Sequence, residues 1–182
     1  FKDFEFIIIN DGSTDQSWSI IQEYAEKDQR IVPVIQDNIG LTKSLNKGIS
    51  MAKGKYIARM DADDVSLPIR FETQLPWLEE KGYDLCCSRT WLIEENRVSP
   101  GLTYYLPRKW LLNFRNPFIH GTYLMKKTVL DGLGGYDEEF LYSQDYKLIR
   151  DFYEKNYRVK FLKEPLYQTR ELDDSIGIKN RK

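Results

Sequence analysis

Tyr56-Ile57-Ala58-Arg59-Met60-Asp61-Ala62-Asp63-Asp64 runs from an apolar strand straight into three carboxylates, and the segments before it alternate strand and helix. Phe4 to Ile9 is an apolar run that ends at Asn10-Asp11-Gly12. A helix follows on which Trp18, Ile21 and Ala25 recur at helical spacing, with Asp15 where an N-cap belongs. Ile31 to Ile35 reads as the next strand, and Pro33 marks it as an edge. Gly40 opens a second amphipathic helix carrying Leu41, Leu45, Ile49 and Ala52, which ends near Gly54. Lys55 to Met60 is the third strand and delivers the acids. Strands joined by helices of this length pair in parallel through crossovers, so the predicted fold class is α/β, a mostly parallel sheet flanked by helices. Ligands of such sheets gather beyond the carboxyl ends of the strands, where Asp11 and Asp61 both stand.

Carboxylates crowded at one strand end stay ionised only when water, a basic side chain or a metal compensates them. Mg²⁺ and Mn²⁺ are held by one or two carboxylates, with phosphates and water completing the shell. In an extended Asp-x-Asp, Asp61 and Asp63 fall on one face and the small Ala62 points away. Taken alone the motif is unspecific, and a solvated acidic turn explains it as well.

Beyond the acids, a helix is expected from about Pro68, with Phe71, Leu75 and Leu78 as its buried stripe and Pro76 kinking or ending it. Asp84 to Ser88 reads as a strand, Glu95-Asn96 as a hairpin turn, Pro107 to Phe114 as a short helix and Gly121 to Met125 as another strand. Gly134-Gly135-Tyr136-Asp137 is a glycine-hinged loop, and Gln144 to Lys155 a final helix.

At 182 residues the chain is one domain's worth, and 41% hydrophobic with 30% charged residues is an ordinary globular balance. A net charge of −1, with no basic stripe before Lys179-Asn180-Arg181-Lys182, argues against general nucleic-acid binding. No apolar run has the length of a membrane span and Phe1-Lys2-Asp3-Phe4 does not read as a signal peptide, so a soluble, cytoplasmic protein is expected. The two cysteines, Cys86 and Cys87, are adjacent in a strand and point to opposite faces, which suits buried thiols better than a disulfide or zinc site.

Ile7-Ile8-Ile9-Asn10-Asp11-Gly12-Ser13-Thr14-Asp15, Asn38-Ile39-Gly40, Leu45-Asn46-Lys47-Gly48, Met60-Asp61-Ala62-Asp63-Asp64 with Pro68 and Arg70, Gly134-Gly135-Tyr136-Asp137 and Ser143-Gln144-Asp145-Tyr146 together resemble the family 2 glycosyltransferases in order and spacing. The resemblance implies the GT-A fold, a Rossmann-like single domain. It also implies inverting transfer of a sugar from a nucleoside diphosphate sugar, UDP-linked by expectation, to an acceptor hydroxyl in polysaccharide or glycolipid synthesis. On that likeness residues 1–64 form the nucleotide-binding half and 65–182 the acceptor-side half.

Residue by residue, Asp11 resembles the carboxylate that faces the nucleobase, Asn38 and Gly40 the loop beside the nucleoside, and Asp61 the residue facing ribose and metal-bound water. Asp63 resembles the direct ligand of Mn²⁺ or Mg²⁺, and Asp145 the catalytic base, although an Asp there equally caps a helix. Asp64, Arg70, His120 and Tyr136 stand where the family lines its donor and acceptor pockets, and each also has a purely structural reading; Trp91 and Trp110 can stack on sugars or fill a core. The implied partners are a nucleotide-sugar donor and a saccharide or lipid-linked acceptor, with peripheral attachment at the cytoplasmic face of a membrane. The family begins with a further strand and helix ahead of the position of Phe1, and the expectation is an N-terminally truncated chain, weak or inactive alone. Leu172 to Ile176 resembles a loop that precedes further helices. A non-catalytic nucleotide-sugar-binding module on the same scaffold is the competing reading, and a nucleotidyltransferase lacks its glycine-rich phosphate loop here.

Overall fold

The computed structural model describes residues 1–170, so the expectations on Leu172 to Ile176 and on the basic tail lie outside the described residues. The chain forms two units, Phe1–Ile57 with Met125–Asn156, and Ala58–Leu124 with the chain from Tyr157.

In the first unit β1 (Phe6–Asp11) pairs in parallel with β2 (Ile31–Gln36), Phe6 opposite Ile31 and Asp11 opposite Gln36. The crossover helix α1 (Ser17–Lys27) is headed by Asp15, whose Oδ1 accepts the Ser17 N–H at 2.9 Å, while Gln16 holds the N-cap position. Helix α2 (Leu41–Met51) follows Gly40, whose φ of 88° a side chain would strain. It lies close on β1: a Cβ at Gly48 would meet Ile9 Cδ1 at 3.4 Å. Two further helices belong to this unit, α5 (Lys127–Leu133), which the sequence reading did not anticipate, and α6 (Gln144–Glu154). Leu148, Ile149 and Phe152 form the buried side of α6.

The second unit is a mixed sheet with one long helix. Strand β5 (Leu85–Leu92) pairs in parallel with β8 (Val159–Thr169) and antiparallel with β6 (Arg97–Ser99), and β4 (Val65–Ser66) runs antiparallel on the other edge of β8. The turn between β5 and β6 carries Asn96 at φ 49°, as the hairpin reading requires. Strands β3 (Tyr56–Ala58) and β7 (Leu124–Lys126) carry the chain across the unit boundary.

Several expected boundaries are corrected. Helix α3 (Arg70–Glu79) begins two residues after Pro68 and continues through Pro76. Its inner face outweighs the proline's cost of about 3 kcal/mol. Gln74, fully buried, donates to the carbonyls of Cys86 at 2.8 Å and Thr122 at 2.9 Å, and Leu78 is buried beside it. The short helix α4 is only Arg108–Leu111, and Gly121 belongs to a 3₁₀ turn (His120–Thr122) rather than to a strand. Strand β8, eleven residues long, was not foreseen at all. Cys86 and Cys87 are buried, and burial pushes the Cys86 thiol up to about 12 and that of Cys87 well above its ordinary value, so both are inert core thiols.

Candidate functional site

In the first unit the end of β1 is tied to the loop before α2. Asp11 Oδ1 accepts from Gln36 Nε2 at 2.7 Å and from the Ile39 N–H at 3.0 Å, and its Oδ2 accepts the Gly40 N–H at 3.0 Å. Burial raises the Asp11 carboxyl, but hydrogen bonds from Gln36, Ile39, Ser44 and Gly40 outweigh it and hold the pKa below the ordinary value. A carboxylate has about four lone-pair sites, and the protein's own donors take up at least three of them. Gly12, at φ 78°, has its missing Cβ position 2.8 Å from the Asn38 nitrogen, which allows the two loops to touch. Asp11, Asn38 and Gly40 are therefore brought together, with Asp11 as organiser. Gln36 and Ser44, which hold Asp11 in place, were missed by the sequence reading.

The same unit explains two more motifs. Asn46 on α2 donates Nδ2 to the Tyr136 carbonyl at 2.8 Å and to Glu138 at 3.0 Å, and its Oδ1 accepts the Tyr136 N–H at 2.8 Å. Gly135, at φ 79°, is required because a Cβ there would lie 2.6 Å from Asn46 Oδ1. This fork anchors the loop that leads into α6. Ser143 takes the N-cap of α6, at φ 58°, so Asp145 is not the cap but lies half-buried in the first turn, where the positive end of the helix favours an anion. Tyr136 is buried, and its ring presents little surface for stacking on a sugar.

In the second unit the acidic loop gives each carboxylate a different environment. Asp61 forms an ion pair with the guanidinium of Arg59, a buried residue that the sequence reading passed over. Asp64 is buried, and its Oδ1 accepts the Arg170 N–H at 3.1 Å. Burial and the neighbouring charges of Asp61 and Asp63 push Asp64 up to about 6, against the lowering effect of the hydrogen bonds from Arg170 and Tyr167. Asp63 is exposed, and among the described residues its carboxylate has no hydrogen-bond or ion-pair partner.

Arg70 is out of solvent and, among the described residues, in no ion pair with an acid. It is buried, donating to Gln74 at 3.1 Å and to the carbonyls of Arg59 at 3.1 Å and Tyr123 at 3.0 Å. His120 lies edge-on to Tyr123, with ring centroids 5.1 Å apart. Burial, then the charge of Arg59, pushes its pKa well below the ordinary value, so the imidazole is neutral at physiological pH. Trp91 is half-buried, and Trp110 is exposed against Phe114.

No group of three or more His, Cys, Asp or Glu converges to hold a metal among the described residues. A divalent ion that borrows most of its ligands from phosphates and water needs only one or two carboxylates. Asp63 supplies one with its oxygens uncommitted, so the donor set fits such an ion.

Residues 1–158 match the family model for glycosyl transferase family 2. The chain belongs to this family. It is 33% identical over 191 residues to the putative glycosyltransferase EpsE of Bacillus subtilis, covering 100% of this chain and 66% of that one. To the O-antigen biosynthesis glycosyltransferase WbnJ of Escherichia coli it is 35% identical over 152 residues, covering 81% and 59%. Among solved structures, S. aureus TarS 1–349 in complex with UDP-GlcNAc superposes with a TM-score of 0.77 at 17% identity, over 99% of this chain and 53% of that one. The mannosyltransferase PcManGT of Pyrobaculum calidifontis in complex with GDP-Man and Mn²⁺ gives 0.68 at 18%, over 96% and 49%. These likenesses establish the fold as that of the GT-A glycosyltransferases, and the chain spans about half to two thirds of the length of the curated relatives just named or of its first match, at 52%.

Proposed function

We propose that this family 2 glycosyltransferase chain moves a sugar from a UDP-sugar to an acceptor hydroxyl with inversion, aided by Mn²⁺ or Mg²⁺, in polysaccharide or glycolipid synthesis. The observation that carries the reading is the division of labour in the acidic loop: Asp61 and Asp64 are engaged by the protein, and Asp63 between them is exposed and uncommitted. The nucleotide sugars in the TarS and PcManGT complexes, and the Mn²⁺ in the latter, support a nucleotide-sugar donor and a divalent ion. The O-antigen role in the name of WbnJ supports a saccharide product.

In this reading Asp11 fixes the 38–40 loop and faces the nucleobase. Asp61 faces the ribose, and Asp63 holds the ion, which when bound acts as a Lewis acid on the diphosphate leaving group. Asp145 accepts the proton of the acceptor hydroxyl as its oxygen bonds to the anomeric carbon and the bond from that carbon to the phosphate oxygen breaks. His120, held neutral, has one N–H to donate and one nitrogen to accept with, suiting it to a sugar hydroxyl. A lipid-linked acceptor and attachment to the cytoplasmic face of a membrane belong to the same proposal. No helix among the described residues is long and apolar enough to cross a membrane.

Calorimetric titration of UDP with and without Mn²⁺ tests the reading. Wild type should bind UDP more tightly with Mn²⁺, and Asp63→Ala should lose that enhancement. Equal Mn²⁺-dependent binding in the variant would remove Asp63 as the ligand.

A further inference from the structure

The loop that exposes Asp63 is fastened from β8, a strand carrying no residue assigned so far. Tyr167, completely buried, accepts the backbone N–H of Asp61 on its hydroxyl oxygen at 3.0 Å. Asp61 opens a four-residue turn whose other end is the buried Asp64. The turn between them is closed by the Asp64 N–H on the Asp61 carbonyl at 3.3 Å. Arg170, three residues along, adds its N–H to Asp64 Oδ1 at 3.1 Å.

The ring is fixed as firmly as the hydroxyl. A Cβ at Gly121 would lie 2.7 Å from Tyr167 Cε1 and 2.9 Å from the hydroxyl oxygen, so only glycine leaves room for the phenol. The Arg70 guanidinium sits 5.1 Å from the ring centroid, and it also binds the Arg59 carbonyl just ahead of the loop. The Tyr167 carbonyl in turn accepts the Thr90 hydroxyl at 2.9 Å, locking the strand to β5. A buried tyrosine usually finds some partner for its hydroxyl. Here that partner is the first residue of a four-residue turn, and the acid exposed in its middle is Asp63.

We propose that Tyr167 is the positioning residue of the metal loop: its hydroxyl clamps the backbone at the Asp61 end of the Asp61–Asp64 turn so that Asp63 is presented outward as a ligand. This rests on the reading of Asp63 as the ligand of a divalent ion. The partners that orient a metal ligand typically change affinity by about 10- to 100-fold when removed. Tyr167→Phe keeps the ring in the Gly121 slot and under Arg70 and deletes only the clamp.

In the intact protein, Mn²⁺ affinity in the presence of UDP, measured by calorimetry or by the electron paramagnetic resonance of free Mn²⁺, should fall about 10- to 100-fold in Tyr167→Phe. UDP affinity without metal should stay within twofold, and the Asp61 amide should exchange its hydrogen faster. A merely structural tyrosine would not divide metal-dependent from metal-free binding in this way. If Tyr167→Phe binds Mn²⁺ like wild type while Asp63→Ala does not, the clamp is wrong and the ligand assignment stands. If Asp63→Ala also binds like wild type, the ligand assignment fails and the clamp's role fails with it.

Discussion

Asp11 gives its carboxylate oxygens to Gln36, Ile39 and Gly40, whereas among the described residues Asp63 gives its oxygens to no partner in the chain. Asp11 closes β1 and Asp63 lies in the loop between β3 and β4, both lie in motifs of the same family, and both read from sequence as ligand-facing. The difference teaches that such a motif fixes two kinds of carboxylate. One shapes the loop a ligand meets, and the other meets the ligand. A loop with no regular hydrogen-bond ladder of its own needs the first kind, because its N–H groups must find an acceptor. Asp145 is a third case, held in the first turn of α6 through the Asn46 fork on the preceding loop.

The largest effect should come from that third carboxylate. In the intact protein Asp145→Asn should lower transfer by about 100- to 10,000-fold, the range for a lost general base, while UDP binding is retained. Measuring turnover and donor affinity in parallel checks this; a variant with wild-type transfer removes Asp145 from the chemistry and leaves only two kinds of carboxylate to compare.

Next in size, Asp11→Ala should destabilise folding by about 1–3 kcal/mol, since it strips charged hydrogen bonds from Gln36 and two loop N–H groups. Urea denaturation measures this. Asp63→Ala, which breaks nothing in the chain, should fall within about 0.5 kcal/mol of wild type in the same experiment. Equal losses in the two variants would erase the distinction between loop-shaping and ligand-facing acids.

The distinction was only partly legible in the sequence. The run from β1 to α2 follows period and punctuation closely, because its elements pack on one another within a short stretch of chain: β1 pairs with β2, and α2 lies on β1. Strand β8 does not announce itself. Val159-Lys160-Phe161-Leu162-Lys163-Glu164-Pro165-Leu166-Tyr167 mixes charges and a proline into what should alternate, and the strand exists because β5 and β4 pair with it on both sides. Pro165 lies opposite Arg89, where the β5 register shifts on either side, the kind of irregularity at which a strand admits proline. Missing β8 meant missing Tyr167, and with it the reason Asp61 and Asp64 differ from Asp63. Arg59 was hidden differently, as a cation inside an apolar run whose ion pair with Asp61 only the turn of the chain reveals. The burial of Arg70 was not legible, because two of its partners are backbone carbonyls, which every residue carries equally.

The smallest effect is on acid stability, and it isolates Asp11 from the other acids. Its pKa is held below the ordinary carboxylate value by its hydrogen bonds. A carboxyl whose folded pKa is depressed stabilises the fold at any pH above its unfolded value, and that stability drains away as pH falls through the folded value. Wild type should therefore lose stability below about pH 4, the ordinary Asp range, more steeply than Asp11→Ala does, because the variant has no such proton to take up. The group is half-buried and still meets solvent, which screens it, so the slopes should differ slightly rather than sharply. Denaturant midpoints for the two proteins between neutral pH and pH 3 measure it. Parallel curves would mean that the loop hydrogen bonds do not favour the charged form of Asp11, and its part as an organiser would then rest on shape alone.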